Sequence, residues 1–232
     1  MNYEKPNLVM VAFPPDNRAY PYLNYLDLEI GDFVFVEGKF ENVRGMVVDI
    51  SENFKVKKDE YKKVVSVADT KVNAEFEATD THFVTKDTDK LNFQKVITWF
   101  KPNNSNEEYI DRHTDSEYHA MWENCEFDVS PSIIRKGIEY YENERVLFLE
   151  IGETLAYAIV AGDDYYITEF EIDESMIGEG VCSCRCFGTC KHIIATKLLL
   201  KELVDKGFSP PFCAISKPVL MKFTNPKKIK IE

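Results

Sequence analysis

An α+β fold is expected for this chain. It should open with a β-rich small barrel, followed by a helix, a three-stranded antiparallel meander and a cysteine-rich hook leading into a C-terminal helix. Three observations carry the expectation. The first hundred residues hold short β-branched and aromatic runs punctuated by Gly, Asp, Asn and Pro. The last hundred hold two stretches of helical apolar periodicity. Four of the six cysteines fall within nine positions, Cys182 to Cys190, and His192 follows two residues later.

In the first part, NLVMVAF, GDFVFVEG, RGMVVDI and YKKVVSVA read as strands. Gly31, Gly38 and Gly45 sit seven apart at their edges, which suits the turns or bulges of a tightly curved sheet. Closing such strands into a barrel removes their exposed edges. KLNFQKVITWF fits a strand or a short helix equally well. The region 1–100 is therefore assigned to the barrel, and 101–126, polar and Asn-rich, to an acidic connecting segment.

The second part, 127–207, begins with DVSPSIIRKGIEYYENE, where Ser130 suits an N-cap and Pro131 the first helical position. Ile133, Ile134, Ile138 and Tyr141 then share one helical face. RVLFLEIG, TLAYAIVAG and YYITEFEI read as the meander. HIIATKLLLKELVDKG is an amphipathic helix ended by Gly207. Residues 208–232 read as a basic C-terminal tail with five lysines, of which Lys222, Lys227, Lys228 and Lys230 are further candidate phosphate contacts.

Composition narrows the function. The 232 residues are 44% hydrophobic, enough to bury a core. No run of about 18 apolar residues exists to span a membrane, and the N-terminus lacks a signal-peptide pattern. A soluble cytoplasmic protein is expected. Forty acidic against 28 basic side chains give −12, so the bulk field repels phosphates. A nucleic-acid surface would have to be local, and FKVKKDEYKK supplies the candidate contacts Lys55, Lys57, Lys58, Lys62 and Lys63. Residues 161–180 carry seven acids and no Lys or Arg, so the faces around Asp163 and Glu169 suit a basic protein partner instead. There is no Gly-x-x-x-x-Gly-Lys-Ser/Thr loop, so the chain is not itself an ATPase.

In a reducing compartment, clustered cysteines point to metal or to a reactive thiol before disulfides. Disulfides between residues two apart are geometrically poor, and a catalytic thiol with His192 as base would need an orienting group that nothing here specifies. Zinc takes four N or S ligands tetrahedrally. Cys182 and Cys184 form one pair and Cys190 and His192 another, five residues apart, with Gly188 available for a tight return. Cys186 lies between the pairs and could replace Cys184.

The pattern Cys-x-Cys, gap, Cys-x-His leading into a helix resembles the SWIM zinc finger. The likeness extends over about 127–203 to the module at the N-terminus of bacterial Swi/Snf-type helicases, through IIRKGIEYY, IVAGDDYY, CSC and CKHI. It implies zinc held by Cys182, Cys184, Cys190 and His192, with Cys186 extra. It also implies a non-catalytic role in binding DNA or a protein, such as a helicase or other DNA-processing enzyme. LVMVAF, YPYLNYLDLEIGDFVFVEG and RGMVVDI are similar to the small barrel that opens the primosomal replication-restart helicase.

The remaining suggestive residues have plainer readings. His113 and His119 beside Asp111 and Asp115 suit a solvated loop better than a second metal site. Trp99, Trp122, Tyr140, Tyr141, Tyr165 and Tyr166 suit packing better than base stacking. His82 has no evident partner, and Cys125 and Cys213 read as buried thiols.

Overall fold

The computed structural model describes residues 6–102, 129–173, 176–186, 188–224 and 230–231. The chain forms two compact units, residues 1–70 with 95–108 and residues 71–94 with 109–232. The fold is mixed α+β, and its two sheets are almost wholly antiparallel.

The first unit holds β1 (Asn7–Phe13), β2 (Arg18–Asn24), β3 (Phe33–Val36), β4 (Gly45–Ser51) and β5 (Val64–Val67). They form a five-stranded sheet in the order β2-β1-β4-β3-β5, with every pair antiparallel. Its apolar face gathers Val9, Val11, Phe13, Val34, Val36 and Val47, and removing these β-branched and aromatic side chains from water is the main force holding the unit together. The outer strands β2 and β5 are linked at a parallel bridge between Leu23 and Lys63, where the Leu23 N–H donates to the Lys62 carbonyl at 2.8 Å.

The ambiguous run at 90–100 contains a short helix, α1 (Phe93–Ile97), where the chain passes back into the first unit. Trp99 just beyond it is fully buried and donates its indole N–H to the Asp69 carbonyl at 2.7 Å, which makes it a core residue.

The second unit is an eight-stranded sheet in the order β11-β10-β9-β8-β12-β7-β6-β13. Its strands are β6 (Glu75–Ala78), β7 (His82–Thr85), β8 (Val146–Ile151), β9 (Leu155–Ala161), β10 (Tyr165–Asp173), β11 (Met176–Cys182), β12 (Phe212–Ser216) and β13 (Lys230–Ile231). All pair antiparallel except β13 with β6. Among the described residues three helices accompany the sheet: α2 (Pro131–Glu142), α3 (Lys191–Asp205) and α4 (Lys217–Phe223). Ile193, Leu199, Leu200 and Leu203 of α3 share a core with Val146, Leu149, Ala156, Ala158 and Val160 of the sheet.

Three expectations are corrected. The run of consecutive antiparallel strands has four members, because MIGEGVC pairs with β10 although its two glycines and Glu179 mask any alternation. Residues 71–94 are not part of the first unit: β6 and β7 join the second sheet through β12. Residues 208–232 are not simply a tail, since β12 is buried at every position between β7 and β8. Counting lysines hid a mostly apolar five-residue strand between Pro211 and Lys217. Of the connecting segment 101–126, only its first two residues are described. Among the described residues no helix is long and apolar enough to cross a membrane.

Candidate metal centre

The register of β10 and β11 sets Cys182 opposite Thr168 at the very end of β11. Ser183 fastens the following turn to β10, its N–H donating to the Ile167 carbonyl and its hydroxyl accepting from the Ile167 N–H, both at 2.9 Å. Cys184 lies in that turn. The chain returns through Gly188, whose φ of +72° disfavours any residue with a Cβ. Cys190 then caps α3 in extended conformation and His192 is the helix's second residue. One strand end, one turn and one helix start thus converge on a point.

The ligand atoms of Cys182, Cys184, Cys190 and His192 all lie within 4.8 Å of one another, and among the described residues they form the one such group. His192 Nδ1 is 3.5 Å from Cys182 Sγ and 3.7 Å from Cys190 Sγ. Zn–S and Zn–N bonds of ordinary length at a tetrahedral angle place S and N about 3.6 Å apart, so both separations suit a shared ion. Cys190 and His192 are buried, Cys182 and Cys184 half-buried, and Cys186 is exposed outside the group.

Electrostatics point the same way. Hydrogen bonds from the Cys182 and Cys184 thiols pull the Cys190 thiol well below its ordinary range, helped by the Ile193 and His192 N–H groups at the start of α3. Cys182, on the donating side of those contacts, is pushed up. Cys190 is stabilised as thiolate and Cys182 is held protonated, while the contact with Cys182 also pulls the Cys184 thiol down. A divalent cation would let all three ionise, which is the chemistry of a thiolate metal site. His192 Nε2 is buried without a hydrogen-bond partner among the described residues, and Nδ1, which faces the sulfurs, is the nitrogen that could ligate. The cluster could hold a metal ion, and its donor set is compatible with zinc.

The motif residues quoted above surround this point. The Tyr166 ring stacks on His192 at 4.3 Å and 20°, and its hydroxyl donates to Asp163 Oδ1 at 2.6 Å. Tyr140 meets His192 edge-on at 5.4 Å, with Lys191 Nζ 4.5 Å over its ring. A Cβ on Gly162 would lie 2.8 Å from the Tyr166 ring, and one on Gly137 would lie 2.5 Å from Ile194 Cβ where α2 packs on α3. Tyr141 instead donates to Glu202 Oε2 at 2.7 Å. These roles were missed in sequence, although the glycines and tyrosines stood in the quoted motifs.

The other candidates separate. Lys55, Lys57, Lys58, Lys62 and Lys63 are exposed on the β4–β5 connection of the first unit and form no ion pair among the described residues. Lys58 Nζ lies 4.6 Å over the Phe54 ring, and the Tyr61 hydroxyl accepts from the Lys55 and Val56 N–H groups at 2.9 and 3.2 Å. Asp163, Asp164 and Glu171 are exposed in the unit that holds the cysteines, and Glu169 is half-buried. His82 is buried with both ring nitrogens satisfied: Nε2–H donates to the Val146 carbonyl and the Thr81 hydroxyl donates to Nδ1, each at 2.8 Å. Burial pushes its pKa down, so it is a neutral structural histidine. Cys213 is buried in β12, its thiol pushed up by that burial and donating to the Leu91 carbonyl. His113, His119, Trp122, Cys125, Lys227 and Lys228 lie outside the described residues.

Comparison with known protein families, with curated proteins and with solved structures finds no match.

Proposed function

We propose that the chain is a non-catalytic zinc-binding recognition protein, of SWIM type in its second unit, which assists nucleic-acid processing by binding DNA, a DNA-processing partner such as a helicase, or both. The convergence of Cys182, Cys184, Cys190 and His192 at tetrahedral separations carries the reading. Four protein ligands leave no open coordination position, which is the arrangement of structural zinc rather than catalytic zinc. A bound ion would supply a cross-link between the end of β11 and the start of α3. The protein groups around it would hold that junction rigid and keep water from the buried Cys190 and His192.

In the first unit we read the five-stranded sheet as a closed small barrel, a reading supported by the link between Leu23 and residues Lys62 and Lys63. The exposed lysines beside Phe54 and Tyr61 support direct nucleic-acid contact, since cations interleaved with aromatic rings suit a phosphate backbone with unstacked bases. The net charge of −12 opposes it. Binding should therefore be weak, and each phosphate contact should add about 0.7 to 0.9 to the slope of log affinity against log salt. The test titrates fluorescent single- and double-stranded oligonucleotides at low and physiological salt. It is then repeated with Lys55, Lys57, Lys58, Lys62 and Lys63 changed to Gln. Binding at low salt that the Gln variant loses supports the reading. Tight binding indifferent to salt and to the Gln changes refutes this surface. No binding at low salt moves the function to a basic protein partner, the second reading, which the exposed Asp163, Asp164 and Glu171 favour.

A further inference from the structure

Tyr140 and Tyr166, with Gly162 beside the latter, converge on His192, whose second ring nitrogen is unpaired among the described residues. Metal-bound histidines ordinarily donate their remaining N–H to a carboxylate, a carbonyl or water, and that bond fixes the ring. Among the described residues His192 Nε2 has no protein partner although it is buried, so the constraint on the ring has to come from its packing neighbours. The nearest constraint is the Tyr166 ring, face to face at 4.3 Å and 20°. Tyr166 is itself tethered through its hydroxyl to Asp163 Oδ1 at 2.6 Å. Gly162 leaves the space it needs, because a Cβ there would come within 2.8 Å of Tyr166 Cε2 and 3.5 Å of His192 Nε2.

We infer that Tyr166 is a positioning residue of the metal centre: it holds the His192 imidazole by stacking, in place of the missing hydrogen bond, and Asp163 anchors its phenol. The inference rests on the metal reading above. An imidazole that ligates a cation carries part of its positive charge, and the face of a phenol ring is electron-rich, so the stacked geometry is attractive beyond its area. A hydroxyl that donates to a carboxylate enriches the ring further. Tyr140 differs, since its ring is steeply inclined to the His192 ring, at 65°, and its face carries the Lys191 ammonium. It limits the imidazole from another side, and Tyr166 sets its plane.

The experiment titrates the metal-free full chain with cobalt(II), a spectroscopic stand-in for zinc, in the parent, Tyr166→Phe and Tyr166→Leu. Tyr166→Leu should weaken cobalt binding about 10- to 100-fold, the range for loss of an outer-shell partner. Tyr166→Phe keeps the ring, loses the tether, and should fall short of that loss. A merely structural role is distinguished in a His192→Ala background, where three thiolates remain and Tyr166→Leu should leave affinity unchanged; equal losses in both backgrounds would overturn the inference. Should that background bind too weakly to titrate, proton NMR of the zinc-loaded protein decides. The His192 ring protons should be shifted upfield by the Tyr166 ring in the parent and return to ordinary positions in Tyr166→Leu, and unshifted protons in the parent would overturn it equally. A parent that takes up neither cobalt nor zinc refutes the metal centre itself. A loaded parent with an undiminished Tyr166→Leu refutes only the positioning role.

Discussion

Glycine to alanine inside a helix ordinarily stabilises by up to about 1 kcal/mol, because alanine loses less backbone entropy on folding. Gly137, the seventh residue of α2, should do the opposite. A Cβ there would sit 2.5 Å from both Cβ and Cγ2 of Ile194 and 3.2 Å from the Lys191 carbonyl oxygen. Carbon atoms pack favourably at about 3.5 to 4.0 Å, so α2 and α3 must separate by about 1 Å locally. Rotation of Ile194 offers no escape, since its Cβ is one of the two obstructing atoms and is fixed to the backbone of α3. Overpacking of this kind costs about 1 to 3 kcal/mol, and a rigid obstruction belongs at the upper end. After the propensity gain, Gly137→Ala should destabilise the second unit by about 2 kcal/mol. Urea unfolding of the zinc-loaded chain followed by circular dichroism measures this, with Lys136→Ala on the exposed side of α2 as the control that should stay within about 0.5 kcal/mol. Ile194 lies in the first turn of α3, two residues beyond His192, so zinc should also leave Gly137→Ala faster than it leaves the control. A Gly137→Ala protein as stable as its parent, or more stable, would show that the close crossing of α2 and α3 is not a constraint.

The parent should carry one zinc per chain by elemental analysis; Cys190→Ser should lose it and Cys186→Ser retain it, and the reverse pattern for Cys184 and Cys186 would reassign the ligand set. Chelation should unfold the second unit before the first, because structural zinc contributes on the order of 10 kcal/mol, comparable to the whole stability of a domain. Hydrogen exchange should then rise in 71–94 and 208–224 along with 129–207, since β6, β7 and β12 share the sheet. His82 makes a pH prediction. Its folded pKa lies below the unfolded value of about 6.5, so its contribution is fully present above that pH and is lost as pH falls from there through the lower folded value. The stability difference between parent and His82→Gln, measured by urea unfolding at pH 7.5 and 5.5, should shrink at the lower pH, and a constant difference would refute the assignment.

What the sequence determined by itself is local. The spacing of Cys182, Cys184, Cys190 and His192 named the group that converges, because two Cys-x-Cys/His pairs across a short hook need only a turn and a helix start to meet. Ser130, Pro131 and Gly207 marked helix ends through backbone chemistry that acts within a few residues, and the structure places α2 and α3 between them. Lysine exposure at 55–63 was legible for the same reason, since a charged run between two apolar strands has nowhere to be buried. Only the tertiary structure decided the rest. Whether β6 and β7 belong with the strands before them or with a sheet whose other members lie beyond residue 145 depends on pairing between distant segments, and no local pattern encodes it. Phe212–Ser216 looks like part of a basic tail by sequence, and only its pairing with β7 on one side and β8 on the other makes it a buried strand. The packing of Tyr140 and Tyr166 against His192 was likewise decided in space. Two rings 26 residues apart reach one imidazole because Gly137 and Gly162 bring α2 and the β9–β10 turn close enough, and close approach is a property of facing surfaces rather than of either segment alone.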